Sequence, residues 1–222
     1  LQRELQNALQ ELDNSCNPLL KPELERTMKI AFVIFQGMTV LDFIGVYDAV
    51  TRLKSMGFIP DLKWDICATT DIVRDERISA SNHQGLGLKP TTVNQPLHNY
   101  DMLIVPGGYG TRLLAQDPEF IAWLKTAQTC PLKVSVCTGS ILLAATGFLN
   151  GKRATTHPTA FDQLREFPEV TVVDERIVDQ GEVITARGVT SSIDLGLYLC
   201  EKLAGSEAKE KIRQQMDYPY GI

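Results

Sequence analysis

An α/β fold with a mostly parallel sheet between helix layers is what this chain predicts, on three observations. Apolar runs short enough for strands alternate with segments of helical spacing from residue 28 onward. The first run, Lys29 to Phe35, is apolar almost throughout, as a strand covered on both faces must be. Composition agrees: 222 residues, 44% hydrophobic and 22% charged, suit a globular chain that needs no disulfide or metal to hold its core.

The elements follow in order. Leu1, Leu5, Leu9 and Leu12 make an amphipathic helix, and Asn14 to Pro22 a linker. Residues 1–27 are therefore expected to be a helical extension with its linker, and residues 28–222 a single α/β domain. After the first strand, Leu41 to Met56 has helical spacing and closes at Gly57. Leu62 to Ala68, Met102 to Val105 and Val134 to Val136 are strands. Pro118 to Ala127 is a helix with Asp117 ahead of a proline at its first position. Thr138 to Thr146 is a helix stopped by Gly147. Arg176 to Ala186, interrupted at Asp179-Gln180-Gly181, is a hairpin. Thr190 to Leu203 and Glu207 to Met216 are the last helices.

Charge and cysteine content exclude several functions. With 22 basic and 27 acidic residues, and no Lys/Arg cluster, the chain is not built for nucleic acid. Its longest apolar stretches, such as Ile141 to Ala145, are too short to span a bilayer. The five cysteines, at 16, 67, 130, 137 and 200, have no paired spacing and are expected to be free thiols in a reducing compartment. Residues 1–27 show no basic start followed by an apolar core, so a cytoplasmic location is expected.

Phosphate and metal motifs fail. Pro106-Gly107-Gly108-Tyr109-Gly110-Thr111-Arg112-Leu113 has Leu where a dinucleotide fingerprint needs its third glycine. Gly147 to Lys152 lacks a residue of the P-loop spacing, and Arg153 replaces its Ser/Thr. The glycines after Val105 are instead expected to leave backbone N–H groups free for a ligand at the sheet's carboxyl edge. His83, His98 and His157 have no zinc-site spacing, and His157 is taken as a structural or pocket-wall residue.

Lys133-Val134-Ser135-Val136-Cys137-Thr138-Gly139-Ser140 carries the chemistry. A β-branched strand turns directly into a small-residue helix, with Cys137 at the junction, the arrangement that exposes a nucleophile. A helix N-terminus behind the sulfur is expected to lower its pKa, and the Thr138 N–H to lie beside an oxyanion. Cys67 and Cys200, within apolar strand and helix patterns, are assigned to the core, and Cys130 to a turn without function.

Ser135 to Ser140, continued by Ala144-Ala145-x-Gly147-x-Leu149-x-Gly151-Lys152-Arg153-Ala154-Thr155-Thr156-His157, closely resembles the PfpI/ThiJ superfamily and its isocyanide hydratase branch. Phe35 to Asp48, Val105-Pro106-Gly107-Gly108-x-Gly110 and Gly188 to Asp194 agree in order and spacing. The resemblance implies a flavodoxin-like three-layer sandwich, a homodimer and a reactive cysteine facing a carboxylic acid. It makes Cys137 the nucleophile and Asp42 its acid partner, with Thr138, Gly108 and Val189 around the substrate. It implies cofactor-free, metal-free hydration of a small molecule, an isocyanide, to an N-formamide. Thr138 stands where protease and glyoxalase members carry His, which disfavours those activities. Pro158 and Arg187 replace the branch's aromatic residue and Gly, and are expected to reshape the pocket. Two alternatives stay open: a ligand- or oxidation-sensing domain without turnover, and a domain derived from a transcription regulator. Asp42 also has a plainer reading, as a carboxylate stabilised at a helix start.

Overall fold

The computed structural model describes residues 27–74 and 86–220. The expected helix over residues 1–12, with Cys16 and His83, lies outside them.

A seven-stranded sheet forms the middle layer. Its members are β1 (Lys29–Val33), β2 (Lys63–Ala68), β5 (Thr92–Val93), β6 (Met102–Val105), β7 (Leu132–Val136), β10 (Ile177–Asp179) and β11 (Val183–Ala186). The spatial order is β10-β11-β7-β6-β1-β2-β5, with every pairing parallel except β10 with β11. Strand β1 sits between β2 and β6, and Ile30, Ala31, Phe32 and Val33 are fully buried. Both faces of that strand are covered, which is why its sequence does not alternate.

Two helices show how close the layers come. Helix α1 (Val40–Ser55) lies against the C-terminal helix α6 (Ser191–Gln215), which is broken at Gly205. A Cβ on Gly45 would stand 2.1 Å from the Ser192 hydroxyl, and one on Gly196 would stand 2.7 Å from the Ala49 methyl. Small residues on both helices therefore set their separation. On the other edge of α1, Phe32, Phe43, Tyr47 and Trp64 form a chain of edge-on and tilted ring contacts.

Among the described residues the expected elements form, with shifted ends. The Pro118 helix, α3, ends at Lys125 and continues as a 3-10 turn over Thr126–Thr129. Its cap is as expected: the Asp117 carboxylate accepts from the Glu119 and Phe120 N–H groups. Two short helices, α2 (Gly110–Leu114) and α5 (Phe161–Arg165), and the two-residue strands β3 (Val73–Arg74), β4 (Gly87–Leu88), β8 (Arg153–Ala154) and β9 (Thr171–Val172) join them. Elements this short carry no periodicity for a sequence to display.

Candidate active site

The chain leaves β1 toward one side of the sheet and β6 toward the other, so the sheet order reverses between them. Open parallel sheets leave a crevice at the carboxyl end of such a pair. Three segments meet there: the turn after β1 that enters α1, the glycine loop after β6, and the elbow after β7.

The elbow is strained and held. Cys137 has φ of 55°, a left-handed conformation uncommon outside glycine. Its N–H donates to the Ala186 and Arg187 carbonyls at 3.0 and 2.8 Å, and its own carbonyl accepts from the Thr156 hydroxyl at 3.0 Å. Helix α4 (Gly139–Ala145) begins at once, and a Cβ on Gly139 would stand 2.4 Å from the Val105 carbonyl. Only glycine lets the elbow nest against the end of β6.

Asp42 comes from the first turn of α1 and is fully buried. Its Oδ2 accepts from the Gly107 N–H at 3.0 Å, and its carboxyl hydrogen-bonds to the Cys137 thiol. A Cβ on Gly107 would come within 2.5 Å of the Thr138 nitrogen, so this loop too must lie bare against the elbow. The N-cap of α1, Thr39, makes no side-chain cap bond, and the Asp42 Oδ2 bond crosses to the β6 loop.

Cys137, Thr138, Gly108 and Val189 line one cavity of about 160 Å³, together with Thr39, Tyr109, Arg112, His157 and Thr159. Cys137, Thr138, Gly108 and Val189 thus meet at one place, with Asp42 hydrogen-bonded to the sulfur. His157 is a wall residue: its Nδ1 accepts from the Thr159 N–H at 3.3 Å and lies 2.8 Å from the Thr159 hydroxyl. Among the described residues no cluster of three or more His, Cys, Asp or Glu could hold a metal ion.

Two expectations are corrected here. The glycine N–H groups after β6 are not free. Gly107 donates to Asp42, Gly108 donates to the Thr138 hydroxyl at 2.9 Å, and Gly110 donates to the Gly37 carbonyl at 3.1 Å. The loop folds down into the site, and its donors fix Asp42 and Thr138. The expected low thiol pKa is also absent. Burial, and then the Asp42 charge, push the Cys137 thiol up to about 12 against the lowering effect of the Thr138 N–H and hydroxyl. Helix α4 has only seven residues, too short a dipole to outweigh a desolvated sulfur beside a carboxylate.

Pro158 and Arg187 do not touch this cavity. They line a neighbouring one behind His157, where Arg187 pairs with Asp174 at 2.5 Å. Sequence reasoning missed Arg112 and Tyr109 as wall residues; both sit inside the glycine motif set aside as a failed phosphate loop.

The raised pKa changes what alkylation should show. Cys67 and Cys200 are 1% and 0% exposed, and Cys130 is 1% exposed with its thiol raised to about 11. Cys137 opens on a cavity, so among these four it should take iodoacetamide first. Its rate should keep rising with pH past 9, with no plateau near neutrality, because a thiol whose pKa is raised stays protonated there. Asp42→Asn removes the neighbouring charge and should move the rise to lower pH. Peptide mapping across pH 6 to 11 measures both; a plateau below pH 8 would show a stabilised thiolate instead.

A mostly parallel α/β sandwich with a cysteine at the strand-to-helix elbow of its sheet's carboxyl edge is a protein of the flavodoxin-like class. The chain belongs to the DJ-1/PfpI family, whose model matches residues 28–202. It is similar to an isonitrile hydratase of Pseudomonas putida, 33% identical over 86% of this chain and 78% of that one. It is also similar to the HTH-type transcriptional regulator CdhR of Pseudomonas aeruginosa, 28% identical over 83% of this chain and 53% of the regulator. Among solved structures, a THiJ/PfpI family protein from Pseudomonas syringae superposes with a TM-score of 0.75 at 28% identity, covering 95% of this chain and 85% of that one. Among the described residues no helix is long and apolar enough to cross a membrane.

Proposed function

We propose that the chain hydrates a small isocyanide, R–N≡C, to the N-formamide, with Cys137 as nucleophile and Asp42 as its proton carrier. The observation that carries this reading is the hydrogen bond between a buried carboxyl and the elbow thiol at the floor of a small cavity. The likeness to isonitrile hydratase supplies the substrate.

The chemistry follows from one proton shared by two acids. As sulfur attacks the terminal carbon, Asp42 takes the thiol proton and returns it to that same carbon. A C–S bond and a C–H bond form, giving the thioimidate R–N=CH–S. The high thiol pKa suits this, because the proton moves with the attack and no free thiolate has to persist. Water then adds across C=N: Asp42 accepts the water proton, oxygen bonds to carbon, and nitrogen is protonated. The C–S bond breaks as the carbonyl forms, and the thiol is restored. The Thr138 N–H stabilises the departing sulfur. The cycle consumes one water and needs no other group.

Formamide appearance from cyclohexyl isocyanide tests the proposal. A second reading has support in the 28% identity to a transcription regulator of which the chain spans about half: a sensing domain that binds a ligand without turnover. Saturable binding without formamide would favour it.

A homodimer is part of the proposal. Leu41 and Ile44, 41% and 38% exposed, share one face of α1 beside Asp42 and suit burial against a second copy. Light scattering at micromolar concentration should give twice the chain mass; a monomer mass would refute it.

A further inference from the structure

Arg112 stands on α2 and lines the cavity that holds Cys137. Its guanidinium packs 5.1 Å from the centre of the Tyr109 ring, and one nitrogen lies 3.5 Å from the Gly108 carbonyl. It is half-buried, and its side chain rests on the wall. Several other arginines are neutralised: Arg52 by Asp48, Arg153 by Glu175, Arg176 by Asp194 and Arg187 by Asp174. Among the described residues no carboxylate lies within ion-pair distance of Arg112. The cavity lining contains no Asp or Glu, since Asp42 is fully buried beneath the sulfur.

A cavity of this size, with one thiol, one guanidinium, the His157 imidazole, Tyr109 and the hydroxyls of Thr39, Thr138 and Thr159 in its lining, has a chemical polarity. The thiol marks where the electrophilic carbon sits. The guanidinium, with its forked donors, marks where a carboxylate sits. We infer that the site selects small electrophiles bearing a carboxylate, which Arg112 holds while the reacting carbon lies against Cys137. This rests on the reading of Cys137 as nucleophile; for the proposed reaction it names the substrate class as isocyano-carboxylates. A cavity of about 160 Å³, with Val189 in its lining, leaves room for only a short aliphatic link between the two ends.

Two alkylating reagents that differ only in charge test the anchor without any turnover. Iodoacetate and iodoacetamide each form a bond between Cys137 sulfur and carbon, release iodide and give the thiol proton to solvent. The ratio of their rates at Cys137, by peptide mapping, cancels whatever Arg112 does to the thiol itself. Arg112→Gln should lower the iodoacetate-to-iodoacetamide ratio about tenfold, as loss of a charge-assisted hydrogen bond would. Arg112→Lys should retain part of it, and salt should lower the wild-type ratio without any mutation. A ratio unchanged by Arg112→Gln and by salt, or an equal loss for both reagents, would overturn the inference. In a second arm, isocyanoacetate should show a lower KM than cyclohexyl isocyanide in the wild type, and Arg112→Gln should erase that difference. If neither isocyanide is hydrated, the hydratase reading fails while the alkylation ratio still decides whether Arg112 anchors an anion.

Discussion

Cys137→Ala should abolish formamide production from an isocyanide. No other side chain at the cavity floor can form the C–S bond, so the loss should be at least about 10³-fold. The fold should survive. Alanine tolerates the left-handed φ of 55° no worse than cysteine does, and the hydrogen bonds that hold the elbow come from backbone atoms that remain. Removing one buried sulfur should cost about 1 kcal/mol, a shift of a few degrees in Tm at this length. Formamide assay and thermal melt on one preparation measure both. Turnover surviving in the folded variant would remove Cys137 from the mechanism.

Asp42→Asn has the next largest expected effect. Asparagine can still accept from the Gly107 N–H and fill the same space, so the β6 loop should stay in place. It can neither take the thiol proton nor give it to the isocyanide carbon, and the rate should fall by about 10² or more. Cys137 and Asp42 act in one step, so the double variant should be no worse than Cys137→Ala alone. A helix-start role for Asp42 predicts the reverse pattern, lower Tm with turnover nearly intact. The structure weighs against that role, because the carboxylate bonds across to Gly107 and a fully buried charge is costly for a mere cap. An active but destabilised Asp42→Asn would nonetheless decide for it.

Much of this was legible in the chain. The unbroken apolar run of β1 forecast a strand buried on both faces, and the change from β-branched Val134–Val136 to small Gly139 and Ser140 marked the elbow. Both are local patterns, governed by backbone geometry within a few residues. The strands at Val73–Arg74 and Arg153–Ala154 were not legible, since two residues show no period. Arg112 was overlooked for a different reason. Its neighbours suggested a phosphate loop that fails, and nothing local says that a residue on a five-residue helix lines the same cavity as a cysteine that follows another strand.

The sequence by itself determined the α/β class, the family resemblance and the identity of the elbow cysteine, because periodicity and tight-turn chemistry are local. Only the tertiary structure decided three things. Asp42 meets the thiol because β1 and β7 flank β6, so loops remote in sequence share one sheet edge. The glycine N–H groups are spent on Asp42 and Thr138, so the loop positions the site from within. The thiol is raised, not lowered, because its pKa is set by the water excluded and the charge brought near from all sides. Those are sums over neighbours in space, and the order of residues along the chain does not contain them.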